Sequence, residues 1–258
     1  MSTVNPIDLT GKRILVTGGA NGIGADMSGL FASLGAHVLI ADIDGPAAQG
    51  QADSIGNGAI GAKCDISDEN SVAQLSRIAQ DFGGIDALIN NAAHVDHSGD
   101  LDLLATDLAV WDRTFKVNLR GTMLVSRAIV PQMIDRGGGA VVTIVSRQGI
   151  APPLSAKRIA YGTSKAAMIM LARNMAVTYG KQGIRSNSLA PGTIETERMR
   201  AELSEDRLEQ SRANVLLPHL GAPADVSNCA AFLISDAGRY ITGQTIQVDG
   251  GVLAGLHE

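Results

Sequence analysis

Tyr161 and Lys165 stand four residues apart in the segment YGTSK, so on a helix they share one face about 6 Å apart. A free tyrosine has a pKa of about 10 and is a poor base near neutral pH. Bringing it to about 7 takes roughly 4 kcal/mol of preference for the phenolate. One ammonium at ~6 Å, in an effective dielectric of ~20, supplies about 2.8 kcal/mol of that. The pair therefore suits acid–base chemistry, with a remainder left to hydrogen bonds and to a further positive charge. Taken alone, the segment leaves an accidental surface pair as the lesser alternative.

A second stretch, Thr17-Gly18-Gly19-Ala20-Asn21-Gly22-Ile23-Gly24, follows the apolar run RILVT and opens a helix that carries on to about Leu34. Glycines at these places allow a tight turn, close approach of a pyrophosphate to the backbone, and close packing of helix on strand. The helix N-terminus adds free N–H groups and partial positive charge. Asp42 ends the next strand, 18 residues after Gly24, where a carboxylate can accept from the ribose hydroxyls of an adenosine. Asp44, directly before Gly45-Pro46, is the better helix cap. Asp42 repels a 2′-phosphate and neither Asn21 nor Ile43 is basic, so NAD is favoured over NADP. The oxidised nicotinamide of such a dinucleotide is also a source of the positive charge that Tyr161 lacks.

Holding these groups in place requires a scaffold, and the chain is patterned for one. Short apolar runs at 13–17, 37–42, 62–65, 86–91, 140–146, 185–191 and 245–249 read as strands, with helix-length segments between them. They lack period-2 alternation, which suits a parallel sheet buried by helices on both faces, a doubly wound α/β fold. Helical spacing covers 68–81 and 160–180, with Asp68 or Ser67 able to cap the first, while glycines weaken a helix at 46–55. No repeat or linker divides the chain, so 1–258 reads as one domain.

Composition narrows the function classes. A net charge of −5 with no local Lys/Arg cluster removes the electrostatic term that dominates nucleic-acid binding. Cys64 and Cys229 form no CxxC pair, so no disulfide framework or zinc site is expected. The N-terminus is polar and no run reaches the ~18 apolar residues of a membrane span, so the expectation is a cytoplasmic protein without membrane contact.

Taken in order, TGGANGIG, NNAA at 90–93, Asn118, Ser146, YGTSK, PGTIET at 191–196 and ITGQTIQVDGG at 241–251 resemble the short-chain dehydrogenase/reductase family from Leu9 to Gly251. The resemblance implies a single-domain Rossmann fold with a seven-stranded parallel sheet. It implies that Ser146 holds the substrate oxygen, that Tyr161 exchanges the proton, and that Lys165 lowers the tyrosine pKa and binds the nicotinamide ribose. Asn118 would act through its backbone to hold a water that links Lys165 to solvent. Implied cofactor contacts are Gly18, Asn21, Gly22, Ile23, Gly24, Asp42 and Ile43, then Asp65 and Ile66 beside adenine and Asn90 and Ala92 along the ribose. Pro191, Gly192, Ile194 and Thr196 would follow near the carboxamide. The family also implies a homotetramer or homodimer, with dimer contacts through the long helices containing Asn118 and Tyr161. Ala93 stands where glycine is usual, Val145 replaces a frequent serine, and the span from Ser146 to Tyr161 is slightly long, which reshapes the substrate wall.

Substrate contacts in such folds come from loops at the carboxyl ends of the strands. Here they supply His94, Val95, Asp96 and His97, then 147–154, then a lid segment at about 195–218 that includes Met199, Leu203, Leu208, Leu216 and Leu217. Candidate substrate residues are His94, Ser146, Gln148, Leu154, Tyr161 and Met199. The histidines read as pocket-wall residues rather than metal ligands. Arg147 could meet a substrate carboxylate, stay solvated, or touch another subunit. The expected activity is hydride transfer between NAD(H) and a secondary alcohol or ketone, with a fairly hydrophobic cyclic or aryl alcohol favoured. Alternatives are a sugar or polyol dehydrogenase, an NADPH-dependent 3-oxoacyl-type reductase, and a non-catalytic NAD-binding regulator.

Overall fold

The computed structural model describes residues 7–153, 157–202 and 204–255. Its strands are β1 (Arg13–Thr17), β2 (His37–Asp42), β3 (Ile60–Lys63), β4 (Ala87–Asn90), β5 (Gly139–Ile144), β6 (Ile184–Pro191) and β7 (Thr245–Val248). They form one seven-stranded sheet in the order β3-β2-β1-β4-β5-β6-β7. Every pairing is parallel. The helices are α1 (Gly22–Ser33), α2 (Gly45–Ile55), α3 (Glu69–Asp81), α4 (Leu108–Phe115), α5 (Thr122–Asp135), α6 (Ile159–Tyr179), α7 (Glu197–Glu202), α8 (Glu205–Ala213) and α9 (Pro223–Ile234).

The absence of alternation in the strands is explained by burial on both faces. Ile14, Val16, Val38 and Ile40 pack with Met27 and Phe31 of α1 and Val226 and Ala230 of α9. Leu15, Leu39, Leu88 and Val141 face the opposite layer, with Leu75 of α3, Ile129 of α5 and Met175 of α6. The chain builds β1, β2 and β3 outward, then crosses to β4 on the other side of β1. That reversal opens a crevice at the carboxyl ends of β1 and β4, where ligands bind in such sheets.

Caps fall where the side chains predict them. Asp44 accepts from the Ala47 amide at 3.0 Å and starts α2, whose glycines do not prevent the helix. Asp68 accepts from Ser71 N at 2.7 Å and starts α3. Two strands, β3 and β5, differ from the expectation by two residues at a boundary, and β4, β6 and β7 by one. β3 begins two residues early and ends at Lys63, because the Asp65 carboxylate takes the Ser67 amide at 2.9 Å and bends the chain away. β5 ends at Ile144, because Ser146 caps a short 3₁₀ turn at Arg147–Gly149. The segment expected to act as a lid, 195–218, includes the two short helices α7 and α8, and Leu208 is the buried residue of α8. Leu203 lies outside the described residues. Among the described residues, no helix is long and apolar enough to cross a membrane.

Candidate active site

The glycine turn after β1 is built so tightly that side chains are excluded. A Cβ on Gly24 would lie 2.0 Å from the Gly18 carbonyl oxygen, and one on Gly18 would lie 2.8 Å from Ala92 Cα. Gly18 and Gly22 have φ of 61° and 55°, in the left-handed region. Helix α1 follows with Asn21 at its N-cap position and no side-chain hydrogen bond capping it. Its first amides, beginning with Gly22 and Ile23, are thereby open to an anion.

Thr17 and Asn91, which sequence reasoning passed over, tie this turn to the loop after β4. The Thr17 hydroxyl accepts from the Asn91 and Ala92 amides at 3.0 and 3.2 Å. The Asn91 side-chain amide donates back to the Thr17 and Gly18 carbonyls at 3.1 and 2.9 Å. Asp42 reaches the same turn. Its carboxylate accepts from the Ala20 amide at 3.2 Å and the Asp44 amide at 3.1 Å, which fixes an anion beside the glycines. Ile43 next to it is 64% exposed.

The remaining residues expected around a dinucleotide divide into two kinds. Thr196 approaches the glycine turn, since its Cγ2 would be 3.8 Å from a Cβ on Gly22. Ile194 is fixed by a parallel bridge to Gly221. Gly192, after Pro191, leaves no room for a Cβ against Asp249 Cα, which would be 2.7 Å away. By contrast, Ile66 packs its side chain against Gly121, which leaves its backbone for a ligand, while Asn90 donates its side-chain amide to Ser126 Oγ at 3.0 Å and keeps a buried Oδ1 without a partner. The open α1 amides, the cradle between Gly22 and Thr196, and the Asp42 carboxylate suit a nicotinamide dinucleotide.

Beside this cradle, β5 and α6 bring Ser146, Tyr161 and Lys165 together. Lys165 is 1% exposed, donates to the Ile144 carbonyl at 2.9 Å, and sits 5.6 Å from the centroid of the Tyr161 ring. Burial pushes the lysine down to about 7. It also raises the phenol, against the Ser146 hydrogen bond and the charge of Arg158, which both favour phenolate. Desolvation therefore works against both charged forms, while the 5.6 Å separation from the phenol ring keeps the ammonium in range to favour phenolate.

Asn118 lies at the centre of a π-helical segment, Lys116–Gly121, that joins α4 to α5. Such a turn breaks the regular backbone pattern and is frequent at functional sites. The Asn118 side chain is fully buried. It accepts from the His94 amide at 2.7 Å and donates to the His94 carbonyl at 3.1 Å and to Ser164 Oγ at 3.0 Å. Ser164 in turn donates to the Tyr161 carbonyl at 2.8 Å. One side chain therefore binds the loop after β4 to the helix that carries the tyrosine.

Asp100 completes the support and has no local signature in the sequence. It is 1% exposed, and its two oxygens accept from Ala160 N at 2.9 Å and Tyr161 N at 2.8 Å at the start of α6. Of the expected substrate residues, His94 is half-buried, with a pKa lowered by burial and by Arg113, and its Nε2 is buried without a hydrogen-bond partner. Gln148 donates its amide to Ser146 Oγ at 3.2 Å, and its Oε1 is buried without a partner. Met199 donates its amide to Thr196 Oγ1 at 3.2 Å, in the first turn of α7. Leu154 lies outside the described residues. The arrangement can fix an oxygen at Ser146, exchange a proton at Tyr161, and hold a dinucleotide alongside.

Comparison with known proteins identifies the family. A family model described as enoyl-(acyl carrier protein) reductase matches residues 18–253. A protein of Bradyrhizobium diazoefficiens, named a probable short-chain type dehydrogenase/reductase, is 43% identical over 95% of this chain and 88% of its own. The 7alpha-hydroxysteroid dehydrogenase of Bacteroides fragilis is 35% identical over 93% of this chain and 94% of its own. The L-rhamnose 1-dehydrogenase (NAD(P)(+)) of a Sphingomonas strain is 35% identical over 96% and 98%. The crystal structure of a short-chain type dehydrogenase/reductase from Mycobacterium marinum superposes with a TM-score of 0.89 at 32% identity, covering 97% of this chain and 98% of that one.

Proposed function

This chain belongs to the short-chain dehydrogenase/reductase family, oxidoreductases that use NAD(P), and from that premise we propose that it transfers hydride between NAD(H) and a cyclic secondary alcohol or its ketone. The observation that carries the reading is the gathering of Ser146, Tyr161 and Lys165 beside a glycine turn on which Asp42 is seated. In this reading the Ser146 hydroxyl holds the substrate oxygen and Tyr161 takes the alcohol proton during oxidation or returns it during reduction. Lys165 donates to the ribose and shares its charge with the phenol. Bound NAD⁺ supplies the hydride acceptor and a positive charge near the phenol. Asp42 accepts from the adenosine ribose hydroxyls and disfavours a 2′-phosphate, which is the basis for NAD over NADP.

A cyclic alcohol is favoured because the loop after Ser146 presents Ile150, Pro152 and Pro153 to one cleft, and because one relative is named a hydroxysteroid dehydrogenase. The rhamnose dehydrogenase keeps a sugar as the second reading. We further place the protein in a homo-oligomer. Met170 and Val177 of α6 are 55% and 84% exposed, next to an apolar groove lined by Met123, Val130 and Ile134 of α5 and by Leu171 and Met175 of α6. Light scattering giving a monomer would contradict this assembly.

The function is tested by a cofactor-coupled absorbance screen over alicyclic, aryl, steroid and polyol alcohols, with NAD and NADP in parallel. Turnover of a cyclic alcohol with NAD is expected. A clear NADP preference overturns the role of Asp42. If NAD binds and no alcohol on the panel reacts, the chain is a binding module.

A further inference from the structure

The chain between β6 and α9 leaves the body of the protein and re-enters it at one place. The Glu195 amide donates to the Gly221 carbonyl at 2.7 Å, and the Gly221 amide donates to the Thr193 carbonyl at 3.2 Å. The returning chain is held again where the Leu216 amide donates to the Gly250 carbonyl at 2.9 Å. Between these backbone anchors lie α7 and α8. With Leu208 as its buried residue and charged or polar side chains over most of its nine positions, α8 gains little from apolar packing.

Glu195, at the base, ties both helices down. Its Oε1 lies 3.3 Å from Arg200 Nε on α7 and 3.9 Å from Arg212 Nη2 on α8, so one carboxylate oxygen meets a guanidinium from each helix. Arg212 uses both arms of its planar fork. Its Nη1 pairs with Glu205 Oε1 at 2.7 Å and Glu209 Oε2 at 3.0 Å, both on α8 itself, and its Nη2 is the arm that crosses to the base. The side chains of Glu195 and Arg212 are 22% and 34% exposed. Partial shielding and a network of several charges distinguish this arrangement from an isolated surface pair, which contributes little. Glu195 also stands between Ile194 and Thr196, the two residues expected near the carboxamide, and Thr196 approaches Gly22 across the cradle. The Met199 amide donates to Thr196 Oγ1 at 3.2 Å and the Arg200 amide to the Thr196 carbonyl at 3.0 Å, so α7 grows directly out of the cradle wall.

We propose that Glu195 is a positioning residue that pins α7 and α8 beside the cradle through Arg200 and Arg212, and so slows the release of the bound dinucleotide. This rests on the oxidoreductase reading above and adds control over cofactor exit to it. Opening of such a segment commonly governs how fast a bound molecule leaves.

The test uses Glu195→Gln, which keeps the size of the side chain and removes its charge, with Arg212→Lys as the conservative variant. Hydrogen exchange of the α8 amides is followed in the cofactor-free protein, and NADH dissociation by stopped-flow fluorescence. In Glu195→Gln the α8 amides are expected to exchange about 3- to 10-fold faster, and NADH to leave faster by a similar factor. Arg212→Lys should keep part of both effects. In about 1 M salt, which screens the contact, exchange in the wild-type protein should approach that of Glu195→Gln, while the variant changes little. Unchanged α8 exchange in Glu195→Gln overturns the pin, and faster exchange with unchanged NADH release overturns its link to the cofactor. If NADH does not bind, the oxidoreductase reading fails and the exchange measurement still decides the pin: faster α8 exchange in Glu195→Gln supports it, and equal exchange overturns it.

Discussion

Replacing Lys165 by methionine isolates what the buried ammonium contributes to the proposed proton transfer. Methionine matches the stem and removes the charge and the hydrogen bond to Ile144. With the separation of 5.6 Å between Nζ and the phenol ring, and an effective dielectric of ~20, a full ammonium favours phenolate by about 3 kcal/mol. That corresponds to about 2 in the tyrosine pKa. Burial opposes both charged forms, lowering Lys165 to about 7 and raising Tyr161, so the assay is run with cofactor bound, whose positive charge favours phenolate. The assay is the pH dependence of kcat/KM for alcohol oxidation with saturating NAD. Lys165→Met is expected to move the limb that rises with pH upward by about 2, and to cost about 100-fold near neutrality with a gap that narrows in alkali. A variant whose profile is parallel to the wild type, lowered equally at every pH, would refute the electrostatic role and leave Lys165 as a positioning group.

Other outcomes follow from the same geometry. Asp42→Ala removes the seated carboxylate, and the ratio of kcat/KM for NAD over NADP should fall by about 10- to 100-fold, measured from initial rates with each cofactor. Asp100→Ala leaves the buried amides of Ala160 and Tyr161 unpaired and should lower stability by about 3 kcal/mol in urea unfolding. Lys165 also makes stability depend on pH. Its folded pKa of about 7 is below the ordinary 10.5, so across that window the unfolded chain binds the extra proton and stability rises with pH. The rise is at most about 5 kcal/mol, and urea midpoints followed from about pH 7 to about pH 10 should lose it in Lys165→Met.

What could be read from the residues alone was local. The strands announce themselves by runs too apolar for a half-exposed sheet, and Asp44 and Asp68 stand directly before the helices they cap. The Tyr161–Lys165 spacing needs only one helix to become a pair. Other features depend on partners far away in the chain. Asp100 meets Ala160 across 60 residues, and the Asn91 side chain meets Thr17 across 74. Their types, an aspartate in a loop and the second asparagine of a doublet, carry no mark of the contact. The desolvation of Lys165 was hidden for a related reason, because spacing gives a distance and says nothing of the burial imposed by β5 and α6 around it. Arg158 stood outside every motif, and its left-handed backbone is set by the packing of 100–101 against the start of α6.

The most direct test of the central claim is the rate of NADH formation by Tyr161→Phe on the best alcohol found by the screen. Phenylalanine keeps the ring and removes the one hydroxyl to which proton transfer is assigned. The account predicts a fall in kcat of about 100- to 10,000-fold at the pH optimum, with NAD still bound. Full turnover by Tyr161→Phe would contradict it.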